Sequence, residues 1–532
     1  MRVNSMLDLS FLNKRSARLL ILALSGFLTG LCICYPQIGI IQWISLVPAV
    51  LVIYKLTESG EYRLRGIYAY GLFFFESYFL AAWYWFAAMY PLEFAGLDPV
   101  TAVAVIIIAI LGLPLLQAST FAFALVLFVK IKRGRVLSKF PLASPFLFAL
   151  LWAVFEWTQT LFWFGVPWGR LVLGQSSLLF TMQSASLFGS YFVTFLIVAV
   201  NALIAYALCY VSARRAAAVC CASVFAVNAI AGVILTSVRP HERETVRVAA
   251  LQGNLPSTEK LDSNTRDTYA KLTREAAEAG AQIVVWPEST VRTSIVEDTY
   301  ARKWMSNLAE DNEIILIVGT FSNKGIRYYN SAVTFMPDGS MSDDVYSKRY
   351  LVPFGEYVPM RDVFAVLLPW LTEINMLSYD LTAGEDAGIL HTEYGNIGSM
   401  ICFDSIYEQA SLDSVREGAE LLIIETNDSW FGNSVALRIH ESHAQLRAIE
   451  VGRYIACSAN TGVSVTVSPK GEILKELPIM ESGYLLSEVG FIEENTLYSY
   501  IGNLFIWLAI GAIAGLLSAD VTFKLLDRRK DL

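Results

Sequence analysis

The chain has 532 residues, more than one hydrophobic core usually organises, and is 55% hydrophobic and only 17% charged. An average soluble domain is roughly 45–50% apolar and 25% charged, so a large part of this protein must face lipid. A net charge of −8 argues against a nucleic-acid partner, which would call for a basic face.

Eight apolar segments are long enough to span a bilayer as helices, the only open structure that satisfies its own backbone there. They run approximately from Ala17 to Tyr35, Ile38 to Lys55, Ile67 to Tyr90, Val100 to Val129, Pro141 to Thr158, Leu178 to Tyr210, Ala216 to Val238 and Ile501 to Ala519. The first has a basic flank like a signal peptide, but no convincing small-residue cleavage site follows Cys32 and Cys34, and it reads as a retained anchor. Basic residues cluster before the first span (Lys14, Arg15, Arg18), after the second (Lys55, Arg63, Arg65), after the fourth (Lys130 to Lys139), after the sixth (Arg214, Arg215) and in the final tail. The connections after spans one, three and five share a single basic residue, Arg170. Because basic short loops stay on the cytoplasmic side, both termini are expected inside and the long segment between spans seven and eight outside, on the periplasmic face of a bacterial inner membrane. The expected organisation is a membrane domain over residues 1–238, a soluble domain over 239–500, and a last span with a basic tail over 501–532.

From Arg239 the composition becomes that of an α/β domain. Short β-branched runs (Val246–Ala250, Gln282–Trp286, Ile314–Val318, Ala332–Phe335, Ile397–Ile401, Leu421–Glu425, Tyr454–Ser458) alternate in part with polar helical stretches at Thr265–Ala279, Thr299–Asp311, Gln409–Glu417 and Val435–Val451. Asp338-Gly339 and Lys470-Gly471 mark hairpin turns. That order predicts mixed sheets covered by helices.

Three places join a strand to a reactive side chain. Val284-Val285-Trp286-Pro287-Glu288 delivers a carboxylate to a sheet edge, where partial burial suits a general base; a solvated glutamate is the plain alternative. Tyr346-Ser347-Lys348 puts an ammonium before Val352-Pro353-Phe354-Gly355-Glu356-Tyr357-Val358-Pro359, an unusual loop that sets Glu356 in apolar surroundings. Gly398-Ser399-Met400-Ile401-Cys402-Phe403-Asp404-Ser405 brings a thiol to a strand-to-helix elbow, where the following N–H can serve as an oxyanion donor; a buried inert cysteine is the alternative. The other cysteines lie in apolar runs apart from Cys457, giving neither a disulfide framework nor zinc spacing. The histidines are His241, His391, His440 and His443; His440-Glu441-Ser442-His443 lacks the spacing of a HExxH zinc site and reads as an exposed helix face.

The order Glu288, Lys348, Cys402 with these flanks resembles the nitrilase (carbon–nitrogen hydrolase) superfamily, and the whole chain resembles the apolipoprotein N-acyltransferase family. Besides the flanks, the resemblance is carried by Pro167-Trp168 with Gln175, Phe188-Gly189-Ser190-Tyr191 to Asn201-Ala202, Gln252-Gly253-Asn254, Pro353 to Pro359, Thr426-Asn427-Asp428-Ser429-Trp430-Phe431-Gly432, Asn460-Thr461-Gly462, and the frame of seven spans, soluble domain, one span. It implies a polytopic α-helical membrane domain joined to an αββα nitrilase-like sandwich. It also implies an acyl transfer through a cysteine thioester, with Cys402 as nucleophile, Glu288 as base, Lys348 and the Phe403 N–H as oxyanion donors, and Glu356 in support. The implied donor is a glycerophospholipid and the acceptor the N-terminal diacylglyceryl-cysteine of an apolipoprotein, with no cofactor and no metal. Trp168, Phe364, Leu368, Trp370 and Trp430 are expected to contact lipid. Phe403 and Asp404 stand where the family usually has Tyr and Glu, and Tyr350 where it often has His. The apolar arm from Val363 to Leu377 reads equally as an interfacial lid or as a core helix of the domain. A membrane-tethered amidase, or a scaffold or transporter with a decayed domain, are the competing functions.

Overall fold

The computed structural model describes residues 10–59, 63–92, 96–255, 263–367 and 379–530. Its backbone contacts divide into two units, Met1–Phe86 with Ile107–Val238 and Ile501–Leu532, and Ala87–Ile106 with Arg239–Tyr500.

Among the described residues, eight helical stretches are long and apolar enough to cross a membrane: Arg15–Cys34, Pro36–Glu58, Leu64–Met89, Pro99–Lys132, Pro141–Thr160, Ser190–Cys209, Val211–Ser237 and Leu504–Asp527. Seven match the expected spans in place. The sixth is shorter than expected, because Gly189 takes φ +80 and separates the helix Ser190–Cys209 from the short turns Leu179–Met182 and Ala185–Phe188. Helix Arg15–Cys34 lies against Leu64–Trp83 through Gly26 and Gly30, one turn apart; a Cβ there would stand 2.5 Å from Phe74 O and 2.2 Å from Tyr78 O. Two buried amides of this unit are tied into it by hydrogen bonds, which a medium without water favours. Asn201 accepts from Leu46 N–H (2.9 Å) and donates to Gln42 O (2.8 Å), while Gln175 accepts from Trp43 Nε1 (2.9 Å) and donates to Gly39 O (2.8 Å). Arg170, the single basic residue of the connections after spans one, three and five, is fully buried with its guanidinium 4.9 Å from the centre of the Tyr191 ring.

Among its described residues the second unit has thirteen strands: β1 (Glu244–Gln252), β2 (Ile283–Val285), β3 (Val291–Ser294), β4 (Ile315–Lys324), β5 (Arg327–Phe335), β6 (Met341–Ser347), β7 (Ile389–His391), β8 (Asn396–Ile401), β9 (Leu421–Thr426), β10 (Ile455–Ala459), β11 (Val465–Val467), β12 (Ile473–Glu476) and β13 (Gly483–Phe491). One sheet has the order β13-β1-β2-β4-β5-β6 with β3 on β4; the other has β12-β11-β10-β9-β8-β7. The helices are α1 (Ser263–Glu278), α2 (Thr299–Asp311), α3 (Arg361–Leu367), α4 (Glu408–Arg416) and α5 (Val435–Val451).

Strand alternation explains the layering. Val246, Val248, Ile283, Val285, Ile315 and Ile317 of the first sheet meet Ile397, Ile401, Leu421, Ile423 and Ala456 of the second in one core. The intervening residues point the other way: Val284, Leu316 and Val318 pack with Leu272, Met305 and Leu308 of α1 and α2, while Met400, Leu422 and Ile424 pack with Val415 of α4 and Leu437 and Ala448 of α5. The unit is therefore an αββα sandwich whose inner strands are buried on both faces, which is why their sequences read as continuous apolar runs.

Candidate active site

Within each sheet the parallel strands end on the same side, and the reactive residues come from those ends. Glu288 follows β2, Cys402 follows β8, Asn427 and Asp428 follow β9, and Lys348 leaves the end of β6. Such strand ends are where α/β sheets gather functional groups.

Lys348, 1% exposed, places Nζ 2.9 Å from Glu288 Oε1 and 3.0 Å from Glu356 Oε1. Burial alone would depress the ammonium, but the two carboxylates outweigh it and hold its pKa well above the usual lysine range. Asn330 on β5 donates to the same two carboxylates, at 2.8 Å to Glu288 and 3.0 Å to Glu356. Glu288 Oε2 accepts from Asn427 N–H (3.0 Å), and Glu356 Oε2 from Val352 N–H (2.8 Å). The loop that carries Glu288 fits only because β4 has Gly319 beneath it; a Cβ there would lie 2.3 Å from Pro287 O and 2.8 Å from Glu288 Cα.

Cys402 begins a 3-10 turn, Cys402–Ile406, with φ +48, a conformation that costs a non-glycine residue roughly 1–2 kcal/mol. The turn points the thiol into the site and leaves the Phe403 N–H at its start. Burial pushes the thiol's pKa well above the usual range and Glu288 adds to this; Lys348 and the nearby Thr426 hydroxyl act in the opposite direction. At rest, Cys402 is a neutral thiol within electrostatic reach of both Glu288 and Lys348.

Asp404 secures the elbow. Its Oδ2 accepts from Ile401 N–H (2.9 Å) and Tyr346 OH (2.7 Å), and its Oδ1 from Arg349 N–H (3.1 Å) and Tyr350 N–H (2.8 Å). Burial raises its pKa to about 6, with the Tyr346 bond and Lys348 restraining the rise. Tyr350 stacks on Tyr407 at 4.2 Å between ring centres, and Phe403 meets Tyr407 edge-on at 5.5 Å.

The structure corrects one expectation outright. Helix α5 is not an exposed face: fifteen of its residues are buried, His440, Glu441, Ser442 and His443 included. Its polar residues find partners inside the fold, such as Arg447 with Glu450 at 2.9 Å and Gln445 with Gly471 O at 2.7 Å. His440 sits behind the nucleophile, with Nε2 2.8 Å from Ser405 Oγ and 3.3 Å from Cys402 O, and Nδ1 3.0 Å from Asp428 Oδ1. No sequence spacing announces that contact, because Asp428, Cys402 and His440 come from three separate segments.

Of the side chains expected at lipid, Trp430 is half-buried in the 3-10 turn Asp428–Phe431 directly after the site loop. Phe364 is half-buried on α3, 6.1 Å from Phe354 between ring centres. Trp168 is buried in the membrane unit against Trp85, at 5.4 Å. Leu368 and Trp370 lie outside the described residues. The alternative of a core helix fails for the described part of the arm, since α3 buries none of its residues and Val366 is 80% exposed.

Glu425, the penultimate residue of β9, is fully buried and neither carboxyl oxygen has a hydrogen-bond partner. Burial, reinforced by Glu288, holds its pKa well above the usual carboxylate range. Replacing it with Leu is expected to stabilise the fold by about 1–3 kcal/mol, read from thermal unfolding. An acid with a raised folded pKa loses stability as pH climbs above its unfolded value of about 4.3, so the gain should be larger at pH 8 than at pH 5.

The sequence model described as the apolipoprotein N-acyltransferase N-terminal domain matches residues 25–203, and that described as carbon-nitrogen hydrolase matches residues 247–491. An apolipoprotein N-acyltransferase of Methylococcus capsulatus is 30% identical over 478 residues, covering 88% of this chain and 89% of that protein. The chain belongs to the apolipoprotein N-acyltransferase family. A relative of that name from Geobacter metallireducens is 29% identical, with 96% of each chain covered. Among solved structures, a carbon-nitrogen hydrolase from Helicobacter pylori G27 is similar at 20% identity and a TM-score of 0.36, covering 46% of this chain and 89% of that one. As an apolipoprotein N-acyltransferase homologue with eight helices able to span a membrane, the protein is an acyltransferase of the bacterial inner membrane, with a nitrilase-like domain, acting in lipoprotein maturation.

Proposed function

We propose that this enzyme takes an acyl chain from a glycerophospholipid onto Cys402 as a thioester and passes it to the α-amino group of the N-terminal diacylglyceryl-cysteine of apolipoproteins. The reading rests above all on one observation: the buried Glu288–Lys348–Glu356 cluster stands beside a thiol presented on a strained elbow. Because the thiol is neutral at rest, its proton leaves as it attacks, with Glu288 as base. Sulfur bonds to the ester carbonyl carbon, and Lys348 together with the Phe403 N–H receives the oxyanion. Collapse breaks the ester C–O bond, and Glu288 returns the proton to the departing lysophospholipid. The lipoprotein amine then attacks the thioester, Glu288 accepts the amine proton, and the thiolate leaves and is reprotonated. Glu356 anchors Lys348 throughout.

Phe364 and Trp430, with the arm that follows α3, are the side chains we assign to lipid; the buried Trp168 is assigned to packing within its unit. The apolar, exposed surface of α3 supports that assignment. The alternation of basic loops supports cytoplasmic termini and a periplasmic site. Incubation of the purified full chain with acyl-labelled phospholipid is expected to give a hydroxylamine-sensitive adduct that peptide mass spectrometry maps to Cys402. A diacylated lipopeptide should then remove the label as an amide. Release of the label as free fatty acid, indifferent to the lipopeptide, would mark a hydrolase; the absence of any adduct would end the thioester scheme.

A further inference from the structure

Three hydrogen-bond acceptors surround the two ring nitrogens of His440. The Ser405 hydroxyl already donates its single proton to Cys402 O at 2.7 Å, so toward Nε2 its oxygen can only accept. The Cys402 carbonyl, 3.3 Å from the same nitrogen, never donates. Nδ1 faces Asp428 Oδ1 at 3.0 Å, an oxygen that also accepts from Thr426 Oγ1 at 2.9 Å. A neutral imidazole would turn a lone pair on either the carbonyl or the carboxylate, whereas the doubly protonated ring satisfies all of them.

We infer that His440 is a positioning residue for the oxyanion site: an imidazolium, tethered by Asp428, that hydrogen-bonds the carbonyl of the Cys402–Phe403 peptide and strengthens the N–H at that peptide's other end. This rests on the role proposed above for the Phe403 N–H. A peptide group is one conjugated unit, so pulling electron density toward its oxygen makes its N–H a better donor, an effect of about 10–30% per bond in hydrogen-bonded chains. A cation does this more strongly than a neutral donor. The same bond adds to those of Asp404 in holding Cys402 at φ +48.

The surroundings favour the charged ring. Burial opposes it, but Asp428, and more weakly Glu288, outweigh burial and raise the His440 pKa above its usual value. Of the other titratable groups near it, Cys402 and, on β10, Cys457 are thiols that burial keeps protonated, and Glu441, the next residue on α5, is paired with Arg438 at 2.8 Å. A raised histidine pKa means that the imidazolium and its contribution are complete below about 6.5 and are lost as pH rises through the folded value.

The test follows the rate constant of acyl-adduct formation on Cys402 in the full-length protein in detergent, with labelled phospholipid, between pH 6 and 10. H440Q keeps a donor but not the charge. It should acylate about ten-fold more slowly at pH 7 with KM for the phospholipid unmoved, short of the 10²–10³ expected for a donor removed outright, and should lack the alkaline fall of the unaltered protein. D428N, which keeps the histidine but removes its counter-charge, should move that fall down toward the ordinary histidine range, and it reads the same titration if H440Q fails to fold. H440Q acylating at the unaltered rate with an unaltered pH profile, or D428N leaving the alkaline limb in place, would overturn the inference while the thioester scheme stood. If the unaltered protein forms no adduct, that scheme falls and the inference with it.

Discussion

Cys402→Ala is expected to abolish both adduct and transfer while leaving the fold intact. Removing the nucleophile of a covalent catalyst typically lowers kcat by about 10⁶, because the residual machinery has nothing to bond the acyl group to. The structure gives this variant particular clarity. The turn at Cys402 is held by Asp404 through Ile401 N–H and Tyr346 OH and by Ser405 and His440 through the Cys402 carbonyl. None of these contacts uses the sulfur, so alanine keeps the elbow. Labelled phospholipid should still bind, no hydroxylamine-sensitive label should appear, and the melting temperature should stay within a degree or two of the unaltered protein. A Cys402→Ala protein that still carries a hydroxylamine-sensitive acyl group would place the thioester on another cysteine.

Lys348→Met should do two things at once. Losing the ammonium removes the oxyanion donor proposed above, expected to lower the acylation rate by about 10²–10³. It also strands Glu288 and Glu356, both of which point an oxygen at Nζ and share the Asn330 amide, in a buried site without their cation. Breaking a buried ion pair from one side costs about 3–5 kcal/mol, so this variant, unlike Cys402→Ala, should unfold at visibly lower temperature. Lys348→Met/Glu356→Gln should recover stability without recovering acylation; if it recovered both, Lys348 would serve only to neutralise Glu356.

Much of the sandwich was legible because its inner strands bury both faces. Seven β-branched runs correspond to β1, β2, β4, β5, β8, β9 and β10, and Thr299–Asp311 and Val435–Val451 are helices over the expected lengths. Several of the strands the sequence does not announce are short or polar. β12 is exposed along its whole length, and β6 carries Asp343 and Asp344 in mid-strand. The candidate site was legible wherever a strand end carried its reactive residue in the same segment, as at Glu288, Lys348 and Cys402. It was not where partners came from distant segments: Asn330 lies mid-strand on β5, and Asn427 contributes only a backbone N–H. Helix α5 shows the same limit in packing. Polar side chains all round a helix ordinarily mean solvent, and only the tertiary partners of His440, Gln445 and Arg447 reveal that it is interior.

One carboxylate, Asp404, grips the backbone of both the Cys402 turn and the segment just past Lys348. Sulfur and ammonium thus ride on a single rigid piece, locked in their mutual spacing before either substrate arrives. Both halves of a ping-pong cycle would meet an unchanged chemical centre, and whatever rearrangement swaps a departing lysolipid for an incoming lipopeptide has to be made by the loops around that piece.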